Sequence, residues 1–181
     1  MLLCLIRLFT LIVTFVCISS ATFAISLGEL QNSPQFWRER HSSSVDVYLD
    51  LNSIQSTLYN PPKYTLKFKV YTVDKKENFI AEGEAIADYD YNKSIEGIIK
   101  RNNLSKVPYT SEKVKSTVKK AKLKDSGVVN SLKFSAIYDF NGNVIYSGDS
   151  IEALKKEKVD ATSSGYVISV KAFKKYYNVK F

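Results

Sequence analysis

Apolar and polar positions alternate most cleanly along LKFKV (66–70) and FIAEGEAIA (79–87), the two-residue period of half-buried strands. A hairpin closed over Asp74-Lys75-Lys76-Glu77 sets Lys69 opposite Glu82 and Lys67 opposite Glu84. It also sets Leu66, Phe68 and Val70 against Ala85, Gly83 and Ala81. That second face is made of small residues, which predicts a helix packed closely on it. Upstream, VDVYLDLNSI (45–54) alternates Val45, Val47 and Leu49 with Asp46, Tyr48 and Asp50 and reads as another half-buried strand. Asn60-Pro61-Pro62 then imposes an extended turn, because proline has no N–H and restricts its neighbour. SPQFWRERHSSS (33–44) fits either a short helix opened by Ser33-Pro34 or a strand through Phe36 and Trp37.

The period changes at NKSIEGIIKRN (92–102), where Ile95, Ile98 and Ile99 share one helix side behind an Asn92 or Ser94 cap. SLKFSAIYDFNGNVIYSG (131–148) returns to a hairpin. Leu132, Phe134, Ala136 and Tyr138 mark its apolar face, and Asn141-Gly142 fits a type I′ turn. DSIEALKKE (149–157) predicts a short capped helix. In SSGYVISVKAFKKYY (163–177), Tyr166, Val170, Phe173 and Tyr177 stand at helical spacing, while Tyr166–Ala172 also fits a strand. Hairpins without parallel crossovers predict an α+β class, an antiparallel sheet with helices packed on one face.

The first 24 residues lie outside this pattern. Arg7, an apolar run from Leu8 to Ile18, and the small residues Ser19, Ser20, Ala21 and Ala24 have the order of a secretory signal peptide, cleaved after Ala24 or Ala21. An uncleaved anchor is the alternative, though the run falls short of the roughly 20 residues that span a bilayer. Val16 before Cys17 argues against a lipoprotein box. Both cysteines, Cys4 and Cys17, fall in this segment, so residues 25–181 carry no disulfide, thiolate or cysteine-based metal chemistry. The expectation is an exported protein, periplasmic, at the cell surface or secreted, with 25–181 forming one domain and no transmembrane segment in the mature chain.

Few residues speak of chemistry. His41 is the one histidine: a metal site built on it would need partners the chain lacks, a Ser-His-Asp triad would have to use a residue in a polar turn, and it reads as a surface polar residue. Ser116-Thr117-Val118-Lys119 matches S-x-x-K without the companion motifs of the enzymes that use it. Asp88-Tyr89-Asp90-Tyr91-Asn92 opens like a calcium loop but has Lys93 where glycine belongs and Ile99 where a bidentate glutamate belongs. It reads instead as a turn that caps the next helix. Glu82 and Glu84 read as rungs of a charge ladder with Lys67 and Lys69 rather than an acid/base pair. No enzyme and no cofactor is expected.

Charge singles out one segment. The net charge is +8, and residues 100–124 hold nine Lys or Arg against one acid, Glu112. Were 111–124 helical, Val114, Val118 and Ala121 would form a thin stripe. Lys113, Lys120 and Lys124 would flank it on one side, and Lys115, Lys119 and Lys122 on the other. So narrow a stripe places the helix on the surface. Its lysines are either a solvated face or a contact for an anionic surface: lipid headgroups, anionic envelope polysaccharide or sulfated host glycans. Export argues against nucleic acid, and the stripe lacks the Trp, Phe or Leu that would enter a membrane.

Trp37, then a polar turn, then Tyr48, Asp50, Ser53 and Ile54 in the order Tyr-x-Asp-x-x-Ser-Ile, followed by YTLKFKVYTVD (64–74), resemble the surface-adhesin protein E-like family of small exported bacterial proteins. YDFNGNVIYS (138–147) resembles a later hairpin of related exported proteins. The similarity covers about half of residues 25–181 and rests on structural motifs. It implies a small surface-associated domain that adheres to host matrix proteins. The basic segment, 100–130, stands as a partly helical insertion, and the chain lacks the family's mature cysteine pair. A non-enzymatic envelope or surface binding domain is the reading that results. The alternatives are a periplasmic accessory module that binds a protein through aromatics such as Tyr89 and Tyr91, and an envelope-polymer hydrolase.

Overall fold

The computed structural model describes residues 24–148 and 155–181. Along them run α1 (Leu27–Asn32), β1 (Phe36–His41), β2 (Val45–Asp50), β3 (Gln55–Asn60), β4 (Lys63–Asp74), β5 (Phe79–Asp90) and a 3-10 turn (Tyr91–Lys93). There follow α2 (Ile95–Arg101), α3 (Glu112–Lys124), β6 (Val128–Asp139), β7 (Val144–Ser147), β8 (Glu157–Lys158) and α4 (Ser164–Tyr177). Every strand pair is antiparallel, in the order β1-β2-β4-β5-β6-β7, with β3 also on β4 and β8 also on β6. The fold is α+β, an antiparallel sheet with helices, as the hairpins predict. The expected signal segment lies outside the described residues apart from Ala24, as does most of the expected 149–157 helix. The last residue of that helix, Glu157, opens β8.

β4 and β5 are the spine, each 12 residues long. They pair two residues further along than the charges suggest: Lys69 faces Glu84, Lys67 faces Ile86, and Leu66, Phe68 and Val70 face Ala87, Ala85 and Gly83. The turn decides this. Asp74 pairs with Phe79, its carboxylate accepts from the N–H groups of Lys76 and Glu77, and Asn78 takes φ 56° to close the loop. A two-residue slip leaves both faces intact. The expected ion pairs still form, on the diagonal, with Lys69 to Glu82 at 2.8 Å and Lys67 to Glu84 at 2.7 Å.

The small-residue face receives a helix. α4 is helical throughout, capped by Ser163, whose hydroxyl accepts from the Tyr166 N–H, and ended by Asn178 in the left-handed region. Ile168, Ala172 and Phe173 pack on Leu66, Phe68, Val70, Ala85 and Ala87. Each large apolar side chain so buried contributes about 1.5–3 kcal/mol. The opposite face is also covered, at one end, by α1. Its Leu30 joins Ile25, Phe36, Tyr71, Val73 and Ile80 in a second cluster. Helices therefore touch both faces, because β2 is buried on both: Val47 and Leu49 turn to α4, and Asp46, Tyr48 and Asp50 to the α1 side. Phe36 and Trp37 lie in a strand, β1.

β6 does not keep one apolar face. A bulge at Ser135 shifts its register between Glu82 and Gly83 of β5. Val128 and Leu132 consequently serve the α4 cluster, while Ala136 and Tyr138 serve the α1 cluster. The following turn is not type I′. Of Asn141 and Gly142 only Gly142 has positive φ, 89°, and its N–H donates to Asp139 O, so Phe140 and Asn141 are the central residues of a type I turn that Gly142 closes as a glycine bulge.

The Tyr-x-Asp-x-x-Ser-Ile stretch builds a corner. Asp50 accepts from Asn52 N–H and from Gln35, while the Ser53 hydroxyl donates to Asp50 O and accepts the Lys69 N–H at 2.8 Å. This corner allows one edge of β4 to be lined first by β2 and then by β3.

Candidate functional site: the lysine face of the helical insertion

The chain between β5 and β6 leaves the sheet and returns as the pair α2 and α3. Asp90 accepts from the Asn92 N–H, so the would-be calcium loop initiates the 3-10 turn. Ser94 caps α2 and Ser111 caps α3, each accepting an N–H three residues on. Between the helices Ile99, Leu104 and Val114 form a small core, with Ile95, Val107 and Val118 against it. The thin stripe of α3 thus docks on α2, not on the sheet. At its far end Asp125 is tied to Lys93 at 2.6 Å, and that bond above all holds the Asp125 carboxyl below its usual range.

Five of the six lysines singled out by sequence, Lys113, Lys115, Lys119, Lys120 and Lys124, are exposed on α3. Lys115 pairs with Glu112 at 2.9 Å, both well exposed. The other four make no ion pair among the described residues. Lys122 departs from the group. It is 7% exposed, donates to Ser126 O at 2.9 Å, and lies over the rings of Phe181 and Tyr166 at 4.3 and 5.3 Å. Burial lowers its pKa to about 8, against the opposing pull of Asp125. Lys122 anchors the helix; it is not on the open face. Sequence reasoning left out Lys100 and Arg101 at the end of α2 and Lys106 in the loop beyond, all exposed and unpaired among the described residues. The run of charge from 100 to 124 already contained them.

The aromatics expected to serve a protein partner are placed differently. Tyr89 is 1% exposed, and its hydroxyl donates to Ser169 O at 2.9 Å within the α4 cluster. Tyr91 is half-buried against Phe173 and Phe181. Tyrosine in a strand with alternate small neighbours belongs to the core, as the spacing from Ala85 and Ala87 indicates.

Two concavities compete with the lysine face. One of about 500 Å³ lies between α4 and the sheet, floored by Val47, Val70, Ala85 and Leu132 and edged by Asn130 and Ser164. Lys155, Glu157 and Lys158 border it. The other, about 400 Å³, is polar and includes Asp50, Lys67, Lys69 and Glu84. Its carboxylates are engaged, Glu84 by Lys67 and Asp50 by Gln35 and the Asn52 N–H, and its Lys69 pairs with Glu82 beyond the rim. Among the described residues no group of His, Asp or Glu is arranged to hold a metal, and no helix is long and apolar enough to cross a membrane. No protein-family model, curated protein or solved structure matches the chain.

Proposed function

We propose that the protein is a non-enzymatic binding domain, exported to the bacterial envelope or surface, that holds anionic surfaces through its helical insertion. One observation carries this reading: Lys113, Lys119, Lys120 and Lys124 stand exposed and without an ion pair among the described residues. Their helix is anchored from beneath by Val114 and Lys122. An ordinary solvated helix mixes both charge signs, whereas α3 offers only Glu112 in return. Lysines on a firmly held helix attract polyanions at long range and lose that attraction as the screening length falls from about 10 Å at 0.1 M salt to about 3 Å at 1 M. Export is supported by the order of Arg7, the apolar run and Ala24 in the sequence.

The test is a salt series of binding to polyphosphate and to a polyuronate, with a variant carrying Gln at 113, 119, 120 and 124. Lys122 stays in place, since replacing it would disturb the anchor. Wild-type binding that falls steeply with salt and is lost in the folded variant is the expected result. Equal binding by both proteins, or by neither, overturns the proposal.

A further inference from the structure

The end of the sheet that carries the insertion also bears an aromatic surface. Tyr59, in β3, is 69% exposed, and Tyr176, in the last turn of α4, is 46% exposed. Both lean on Tyr177, with centroids 5.9 Å and 4.9 Å away. Tyr64 meets Tyr59 edge-on at 5.5 Å, and the Tyr177 hydroxyl shares a 2.8 Å hydrogen bond with Ser56. The rings are held by their neighbours, so little side-chain freedom is lost when a ligand lies on them. Beside them, residues 171–181 contain four lysines and no acid. Lys174 and Lys175 are exposed and form no ion pair among the described residues. Their position in the last turn of α4 suits the helix dipole, but that leaves the bare rings without a role.

Beneath the surface, a chain of buried rings runs from these tyrosines to the anchor of the lysine helix. Lys122 lies 4.3 Å from the Phe181 ring, Phe181 is 5.3 Å from Phe173, Phe173 is 4.8 Å from Tyr177, and Tyr177 is 5.9 Å from Tyr59. We infer that the anionic ligand is a polysaccharide, with Tyr59 and Tyr176 stacking on its sugar rings while Lys174, Lys175 and the α3 lysines meet its acidic groups. The inference rests on the anionic-surface reading above and narrows it to a glycan. Sugar rings present flat C–H faces carrying partial positive charge, which the negative face of an aromatic ring attracts. A tyrosine adds a hydroxyl at the rim for the sugar's own hydroxyls. A sugarless polyanion would use the lysines and ignore the rings. An anionic bilayer would instead draw on the exposed aliphatics nearby in sequence, Leu58 and Val179.

The experiment measures affinity of the purified protein for polygalacturonate, polyphosphate and phosphatidylglycerol vesicles. It compares wild type with Tyr59→Ala/Tyr176→Ala, Tyr59→Phe/Tyr176→Phe and Leu58→Ser/Val179→Ser, each checked for folding by circular dichroism. The Ala pair should lose about tenfold on polygalacturonate while the Phe pair keeps most of the affinity. Polyphosphate binding should be unchanged in both. Polyphosphate bound normally, with polygalacturonate indifferent to the Ala pair, overturns the glycan and leaves the anionic reading standing. Tighter binding to vesicles that depends on Leu58 and Val179 overturns it in favour of a bilayer. Binding to none of the three probes removes both readings.

Discussion

The ammonium of Lys122 lies 4.3 Å from the centre of the Phe181 ring, inside the protein, where α3 meets Phe181 and Tyr166 of α4. Burial pushes its pKa down to about 8 from 10.5. A lysine whose folded pKa is depressed penalises the folded state while both states hold the proton, below about pH 8. Above that the unfolded chain binds more protons than the folded one, so stability rises with pH until about 10.5. Relative to Lys122→Met, which keeps the stem and removes the titration, wild type should gain stability from pH 8 to pH 10, by at most about 1.4 kcal/mol per unit. Urea unfolding of both proteins at each pH measures the difference. A flat difference would mean that the ammonium is solvated.

Gly97 sits where α2 touches the turn before it. A Cβ there would meet Asn92 O at 2.5 Å and Tyr91 O at 2.6 Å, both backbone atoms that move only with the 3-10 turn. Gly97→Ala should therefore cost about 1–3 kcal/mol despite the better helix propensity of alanine. The loss should centre on the insertion, with faster amide exchange at Ile98 and Ile99 than in β4. A variant as stable as wild type would show that the turn yields freely.

The sheet was legible where periodicity and turn chemistry agreed, and misread where charge stood in for geometry. Lys69 and Glu82 look like a facing pair, but long side chains reach diagonal neighbours, so their attraction cannot distinguish two registers that differ by two residues. Asn78, able to adopt positive φ, fixed the loop and hence the register. The bulge at Ser135 left no mark, because Leu132, Phe134, Ala136 and Tyr138 alternate whether or not the strand twists between them. α1 is too short at six residues to display a period. In the insertion, the lysine-rich helix and its surface position were readable. The burial of Lys122 was not, since it depends on Phe181, far away in sequence. The exposed Tyr59 and Tyr176 were hidden among 12 tyrosines, most of which a sequence of this composition sends to strands and core.

The corner between β2 and β3 offers a sharper test of how that edge is held. Where β2 stops and β3 has not begun, β4 has an N–H at Lys69 that no strand supplies with an acceptor, and the Ser53 hydroxyl takes it at 2.8 Å. The same hydroxyl donates to Asp50 O at 2.8 Å, so one side chain closes both ends of the gap. Ser53→Ala removes both bonds and should cost about 1–2 kcal/mol, the range for lost hydrogen bonds whose partners regain only part of their hydration. Ser53→Thr retains the hydroxyl and should cost less. Native-state hydrogen exchange provides the local readout. The Lys69 amide should lose protection in the Ala variant, while Phe68 and Val70, on either side of it, stay close to wild type. If protection at Lys69 is unchanged, water or a shifted β3 serves the N–H equally well, and the serine of this corner has another purpose.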